Sequence, residues 1–344
     1  MSSSDPAMSE GLRRVLARLD PRVRQVANLT RLSAGATNET WSLEAVRDAG
    51  VEAQDFAVDS EHLILRRSAV GRGSGVLSLQ AEAHVLTAVH GCNVPVPEVR
   101  YVLTPEDGLG EGFLMQRIAG ATLPGKILRD PALASVRPRL ASQLGAIAAA
   151  IHAVELSRLP ELPLFDAEGQ LQHLHSQYQE QETPRPVFDL AFRWLREHLP
   201  PAVTPMFVHG DYRHGNLIIG AQGVHAVLDW ELAHVGDPAE DLAWMCIPPW
   251  RFGELDHPVG GFGQRDDLLA AYERASGRSI DAARLTWWDV LGSLRWGIMC
   301  ADMPKWLRSG RDRSIERATI ARRASESELD LLRILSPRSQ RTPR

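Results

Sequence analysis

The stretch from Phe207 to Asp241, FVHGDYRHGNLIIGAQGVHAVLDWELAHVGDPAED, restricts the fold more than any other part of the chain. Its layout predicts a short strand over Met206–Val208, a polar turn over His209–Asn216, a hairpin, and an acidic segment opening at Asp229. The turn signal Gly220-Ala-Gln-Gly223 leads into a second apolar strand, Val224–Leu228. A hairpin of that length folds Asp229 back beside Asn216. Asp211, Asn216 and Asp229 are therefore expected to converge. Taken singly, His-Gly-Asp is a common turn, and Asp and Asn suit turns for backbone reasons. An ordinary turn does not explain the joint spacing of four polar groups ending on Asp-Trp-Glu.

One amide oxygen (Asn216) beside one carboxylate (Asp229) is a hard-oxygen donor pair. Mg²⁺ prefers such pairs, taking few protein ligands and leaving room for phosphate oxygens and water. The order H-x-D-x-x-x-x-N followed by Asp also fits the demands of phosphoryl transfer. One Asp accepts the acceptor hydroxyl's proton while Asn and a second Asp hold the metal. With Leu228-Asp-Trp-Glu231 and Gly236-Asp-Pro-Ala-Glu-Asp241, the stretch resembles the aminoglycoside phosphotransferase (choline kinase-like) family of small-molecule kinases. The branch it most resembles is that of the kinase domains fused to acyl-CoA dehydrogenases. Weaker matches extend the resemblance over residues 30 to 330.

The resemblance implies an α+β, protein-kinase-like fold of two lobes, with ATP and Mg²⁺ as cofactors. The expected divisions are a disordered leader over 1–10 and an N-terminal nucleotide-binding lobe over 11–119, built on an antiparallel sheet. A mainly helical catalytic lobe over 120–335 and a flexible tail over 336–344 follow. Asp211 becomes the catalytic residue, with Asn216 and Asp229 as metal ligands. A phosphate-covering loop falls at Leu32–Trp41, with Gly35 allowing close backbone approach and Thr37 or Asn38 as donors. It has one glycine and departs from the kinase G-x-G-x-x-G pattern, and by itself reads equally as a hairpin turn. The strand His62–Arg67 ends in Arg66, where protein kinases carry Lys; a guanidinium can grip phosphate as a bidentate fork. Arg67 is the alternative, but alternation puts Arg66 opposite Leu63 and Leu65. Glu82, in a helix expected over Leu77–Val89, is the ion-pair candidate for Arg66. The strand Gly112–Arg117 resembles the family's hinge, placing the adenine against the backbone at Gln116 and Ile118.

Composition narrows the partners. The chain has 344 residues, is 44% apolar and carries a formal charge of −5, so substantial cores are expected and nucleic acid or an anionic membrane is not. Three scattered cysteines, Cys92, Cys246 and Cys300, exclude a disulfide framework and point to reduced thiols in a cytoplasmic setting. Met1–Glu10 lacks the layout of a signal peptide, and the longest apolar helical stretch, Leu144–Ile151, is too short to cross a membrane.

Further helices are predicted over 11–27, Pro138–Glu155 and Asp189–Leu199, with a Pro- and Gln-rich loop over 159–186. His152 is expected as a packed core histidine and Asp237 as a turn residue. The resemblance makes Asp241 a support for the catalytic-loop backbone, with a helix cap as the plain alternative. His209 is expected to fix the loop, Arg213 to approach phosphate or support the surface, and Glu231 to be a secondary metal candidate. Tryptophans cluster over 245–310, mostly as core.

The acceptor is a small-molecule hydroxyl. Only a modest acidic cluster (Glu254, Asp256, Asp266, Asp267) is available for a polycation, and the branch resemblance favours a hydroxyacyl-CoA. Aminoglycoside O-phosphorylation and a non-catalytic nucleotide-binding regulator are the alternatives. The oligomeric state and the choice of ATP or GTP stay open.

Overall fold

The computed structural model describes residues 6–34, 38–48, 59–68, 76–181, 183–310 and 315–336. The chain divides into two compact units, each built around its own core. The first comprises Met1–Gly91, Pro95–Ala119 and the short insertion Trp230–Leu232; the second comprises Cys92–Val94, Gly120–Asp229 and Ala233–Arg344.

In the first unit, α1 (Pro6–Leu19) precedes β1 (Val23–Ala34), β2 (Asn38–Arg47) and β3 (Ser60–Ser68). Then come α2 (Leu79–His90), β4 (Val99–Val102) and β5 (Gly112–Gln116). The five strands form one sheet in the order β1-β2-β3-β5-β4, every pairing antiparallel. Alternation along β2 and β3 sends Trp41, Leu43, Leu63 and Leu65 to one face, where they pack with Leu12, Val15 and Leu16 of α1. Full burial of each such side chain contributes about 1.5–3 kcal/mol.

Two expectations for the N-terminus are corrected. Residues 6–10, placed in a disordered leader, are helical, because Met8 continues the buried stripe of Leu12, Val15 and Leu16 one turn upstream. The helix expected over 11–27 ends at Leu19, and β1 takes over from Val23. Val23, Val26 and Leu29 are buried in the sheet core, their three-residue spacing accommodated by register shifts in the β1–β2 pairing.

The second unit begins with α3 (Pro124–Arg129), α4 (Arg137–His152), β6 (Leu164–Phe165), α5 (Ala167–Gln179) and α6 (Pro186–Glu197). Next come β7 (Met206–Val208), the hairpin β8 (Leu217–Gly220) and β9 (Gly223–Val227), and β10 (His234–Gly236). It closes with α7 (Ala239–Trp244), α8 (Arg265–Ser276), α9 (Ala282–Arg308), α10 (Ile315–Ala321) and α11 (Ala324–Leu335). A small mixed sheet, β6-β10-β7, and the two-stranded hairpin carry the polar loops; the remainder is helical.

Residues 159–186, expected as a loop, contain β6 and α5. Asp166 caps α5 by accepting from Gly169 N (2.7 Å), and Leu171, Leu174 and Tyr178 bury one face. Glutamine and histidine between them mask this spacing in the sequence.

Gly120, where the second unit begins, could not be another residue without rearrangement. Its φ is +155°, and a Cβ there would lie 2.5 Å from Ile218 Cγ2 and 2.8 Å from Ile219 O. Among the described residues no helix is long and apolar enough to cross a membrane.

Candidate active site

In the first unit, β3 delivers Arg66 to a buried carboxylate. Arg66 Nε lies 3.2 Å from Glu82 Oε2, with the Glu82 side chain 2% exposed. Glu82 reaches that position because Ser78 caps α2, its side chain accepting from Ala81 N (3.0 Å), which sets the first helical turn against β3. A second carboxylate joins them. Glu231 Oε2 accepts from Arg66 Nη2 and from Asn38 Nδ2, both at 3.1 Å. Glu231, considered from sequence as a secondary metal candidate, thus belongs to the Arg66 cluster.

Arg67 points elsewhere, donating to Glu39 Oε2 (2.7 Å). Asn38 opens β2 and is buried. Gly35 and Thr37 lie outside the described residues. At the end of β5, the Gln116 amide is spent on Glu98 O (2.9 Å) and Arg117 N on His62 O. Ile118, just beyond the strand, is half-buried.

The second unit holds the polar loop between β7 and β8. Gly210 turns the chain at φ +76°, a left-handed conformation suited to glycine. Three donors then grip the Asp211 carboxylate. Trp244 Nε1 reaches Oδ1 at 2.7 Å, Asn216 Nδ2 reaches Oδ2 at 2.7 Å, and Arg213 Nε lies 3.0 Å from both oxygens. The Arg213 guanidinium also sits over the Trp250 ring, 4.6 Å from its centroid.

Asn216 Nδ2 donates to the Asp211 backbone carbonyl as well (2.9 Å). Both groups facing that nitrogen are acceptors, so the amide orientation is fixed by chemistry and Oδ1 is turned away from Asp211. A hard amide oxygen is therefore available to a cation. Leu228 ties the hairpin's far strand to this loop, with its amide donating to Asn216 O (2.8 Å) and its carbonyl accepting from His209 Nε2 (3.0 Å). His209 Nδ1 accepts from Asp211 N (3.2 Å), so Nε2 carries the proton.

Asp229 follows immediately, with φ +68°. A non-glycine residue held in that region is uncommon and tolerated best by Asp and Asn. The donor pair Asn216 Oδ1 and Asp229 carboxylate suits Mg²⁺ better than a transition metal.

Behind the loop lies Asp241, on α7. Its oxygens accept from His209 N (2.8 Å) and Gly210 N (3.0 Å), and His152 Nε2 lies 3.2 Å from Oδ2. The carboxylate supports loop backbone, and it lies within α7, not at its cap. Burial pushes the Asp241 carboxyl up, but His152 and His209 outweigh that effect and hold it below its ordinary value. His152 is indeed buried in the core, yet it also bridges Asp241 to Tyr272 OH (3.1 Å). Its second role has no signal in the sequence.

Further down the loop, the Tyr212 phenol donates to Leu144 O (2.9 Å), and burial raises its pKa well above the usual range. His214 bonds Gly260 O (2.6 Å), and burial pushes it down to about 4. Asp237 does more than make a turn: it accepts from Ala239 N (2.9 Å), from Trp288 Nε1 (3.0 Å) and from Arg284.

Sequence reasoning missed Trp244 altogether. The residue is 4% exposed, and its indole lies under the Arg295 guanidinium (4.7 Å to the centroid). Arg295 Nη1 in turn lies 3.4 Å from Gly210 O. Trp250, Trp287, Trp288 and Trp296 are buried, as expected of core.

A family model described as a phosphotransferase enzyme family matches residues 28–278, well over half of the chain. The chain belongs to that family. This phosphotransferase-family chain is 31% identical over 202 residues to acyl-CoA dehydrogenase family member 10 of Mus musculus. The match covers 54% of the chain but 18% of the mouse protein, so the chain spans under a fifth of that relative's length. Among solved structures, a Ralstonia eutropha protein provisionally named an aminoglycoside phosphotransferase aligns with a TM-score of 0.70 at 22% identity. That alignment covers 94% of this chain and 97% of the other. A thermostable mutant of aminoglycoside phosphotransferase APH(4)-Ia, in ternary complex with AMP-PNP and hygromycin B, aligns at 0.61 and 17% identity, covering 95% and 99%. At these identities the likeness is one of fold, and the fold is the kinase-like one of these enzymes.

Proposed function

We propose that this phosphotransferase-family chain moves the γ-phosphoryl group of ATP to a hydroxyl of a small molecule, with Mg²⁺ as cofactor. The observation that carries the reading is the Asp211 carboxylate, held by Trp244, Arg213 and Asn216 while the Asn216 amide oxygen is left for a cation. Three fixed donors pre-organise Asp211 to receive the acceptor's O–H, the positioning that phosphoryl transfer chiefly requires. Asn216 and Asp229 would hold the metal, which when bound neutralises charge on the phosphate oxygens. Arg66, oriented by Glu82 and Glu231, would contact the nucleotide phosphates. Asn38, with Gly35 and Thr37, would serve as further phosphate contacts; with the Gln116 N–H already bonded to Glu98 O, the Gln116 carbonyl and the backbone at Ile118 would receive the adenine. Asp241 and His209 hold the loop backbone in place.

For the acceptor, the proposal is a hydroxyacyl-CoA or a similar anionic hydroxylated metabolite. Two guanidiniums, Arg213 and Arg295, touch the Asp211 loop and stack on Trp250 and Trp244. Each guanidinium also meets a carboxylate, Arg213 that of Asp211 and Arg295 that of Glu240 (3.5 Å), and it is the arginine-on-indole surfaces that favour an anionic acceptor over a polycation. The mouse relative's name supports the same direction. Aminoglycoside phosphorylation is the second reading, favoured by the fold likeness to the hygromycin B complex.

The test incubates purified protein and Mg²⁺-ATP with hydroxyacyl-CoA esters, aminoglycosides and amino alcohols, and follows one added phosphoryl group by mass spectrometry. A product from one acceptor class that disappears in Asp211→Asn supports the reading and selects the acceptor. No product from any class, with nucleotide still bound, refutes it in favour of a regulator.

A further inference from the structure

Behind the Pro248–Arg251 turn, the second unit forms an open pocket of about 220 Å³ lined by Arg251, Arg265, Asp289, Ser293, Asp330 and Arg333, among others. None of the side chains that grip Asp211 lines it. Most of its charges cancel. Arg265 meets Asp289 through two bonds of 2.7 and 2.8 Å, and Arg333 lies 3.5 Å from Asp330.

Arg251 is different. Its hydrogen bonds all go to backbone carbonyls, Cys246 O (3.1 and 2.8 Å) and Leu255 O (3.2 Å). Among the described residues it has no ion pair with a carboxylate. Burial lowers its pKa, the mark of a guanidinium drawn out of water without full compensation. The Ser293 hydroxyl lines the same pocket, is 1% exposed as a residue, and has no hydrogen-bond partner among the described residues. A buried polar group left in that state is costly, and so is a half-buried charge without a counter-charge.

A single kind of ligand answers both. We propose that this pocket binds a small oxyanion, held by the Arg251 guanidinium and the Ser293 hydroxyl, with the neutralised Arg265–Asp289 pair as its wall. An oxyanion accepts from a guanidinium through short charge-assisted bonds and takes a hydroxyl hydrogen at the same time. The space exceeds what a bare tetrahedral anion fills, so a small phosphate monoester fits as well as free phosphate. The turn that carries Arg251 also carries Trp250, whose ring lies under Arg213. The anion therefore binds one residue away from the stack that supports Asp211.

The experiment follows thermal unfolding of the whole chain titrated with inorganic phosphate, glycerol phosphate or acetate, with chloride keeping the ionic strength constant. The expected result is a rise in Tm with at least one anion above the chloride control, the most effective of the three naming the ligand class. In Ser293→Ala the same rise requires at least fivefold more anion, and in Arg251→Met it is absent. Arg251→Lys, which keeps the charge and loses the fork, falls between wild type and Arg251→Met. Should Arg251→Met fail to fold, Ser293→Ala and Arg251→Lys decide the matter. No rise with any anion, or a rise that is the same in wild type, Ser293→Ala and Arg251→Lys, overturns the proposal.

Discussion

Asp241→Asn isolates the support of the Asp211 loop without changing the side chain's shape. The carboxylate serves two backbone N–H groups, at His209 and Gly210, with one oxygen each, and His152 adds a third contact. An amide offers one acceptor oxygen, so one backbone N–H must face an NH₂ group in its place. A hydrogen bond to a charged group contributes about 1.5–3 kcal/mol, and leaving a buried donor unmet costs about 1–3 kcal/mol more. The expected loss is therefore about 3–5 kcal/mol, a large share of a stability of roughly 5–15 kcal/mol.

Urea unfolding followed by tryptophan fluorescence reads this directly. With a slope of about 3 kcal/mol per molar, the midpoint should fall by about 1–1.7 M at pH 7. The pH dependence adds a second constraint. The Asp241 carboxyl is held below its ordinary 3.8 in the folded chain, so the fold binds fewer protons there than the unfolded chain does. Its stabilisation is fully present above about pH 4 and is lost as pH falls through the lower folded value. The gap between wild type and Asp241→Asn should therefore be constant from pH 5 to neutrality and narrow in stronger acid. A loss below about 1 kcal/mol at pH 7, or a gap that widens on acidification, would refute the anchoring role.

Trp244→Phe keeps an aromatic, though smaller, ring and removes the 2.7 Å bond to Asp211; kcat should fall roughly tenfold, the equivalent of about 1.4 kcal/mol, with nucleotide affinity unchanged. An equal loss of nucleotide binding in a fluorescence titration would contradict it. Glu82→Gln removes the buried carboxylate charge beside Arg66 and should weaken nucleotide binding about tenfold, since the guanidinium loses the partner that faces its Nε. Burial pushes His214 down to about 4 in the fold, below its ordinary 6.5, so the unfolded chain takes up its proton first. Stability should fall as pH drops from 6.5 towards 4, and His214→Gln should flatten that part of the pH–stability curve. Gly120→Ala should lower Tm sharply because its Cβ meets Ile218 and the Ile219 carbonyl, whereas Gly125→Ala, which meets open space, should not.

What could be read from the sequence was local. The β7–loop–hairpin layout and the return of the strand before Asp229 towards Asn216 follow from turn residues and strand lengths within about two dozen positions. The Arg66–Glu82 pair was within reach because Glu82 is the one acid between residues 62 and 97 and the family resemblance puts the partner of the strand cation there. What escaped depends on contacts across long separations. Trp244 meets Asp211 across 33 positions, His152 meets Asp241 across 89, and Glu231 meets Arg66 across 165. Nothing in the neighbourhood of those residues announces the partner. The α5 error has another cause: its apolar spacing is sound, but the polar residues between set a composition that reads as loop.

The left-handed backbone at Asp229 has a bearing on how any mutational scan of this protein is read. At φ +68° the position filters the amino-acid alphabet before chemistry is consulted, since a Cβ-bearing residue other than Asp or Asn is strained there by roughly 1–2 kcal/mol. An alanine scan would record a double injury, lost carboxylate and twisted main chain, and would overstate what the carboxylate itself contributes. Asn preserves the twist and Gly relaxes it. The ratio of the Asn and Gly phenotypes to that of Ala therefore separates conformational tolerance from chemical need at a single codon.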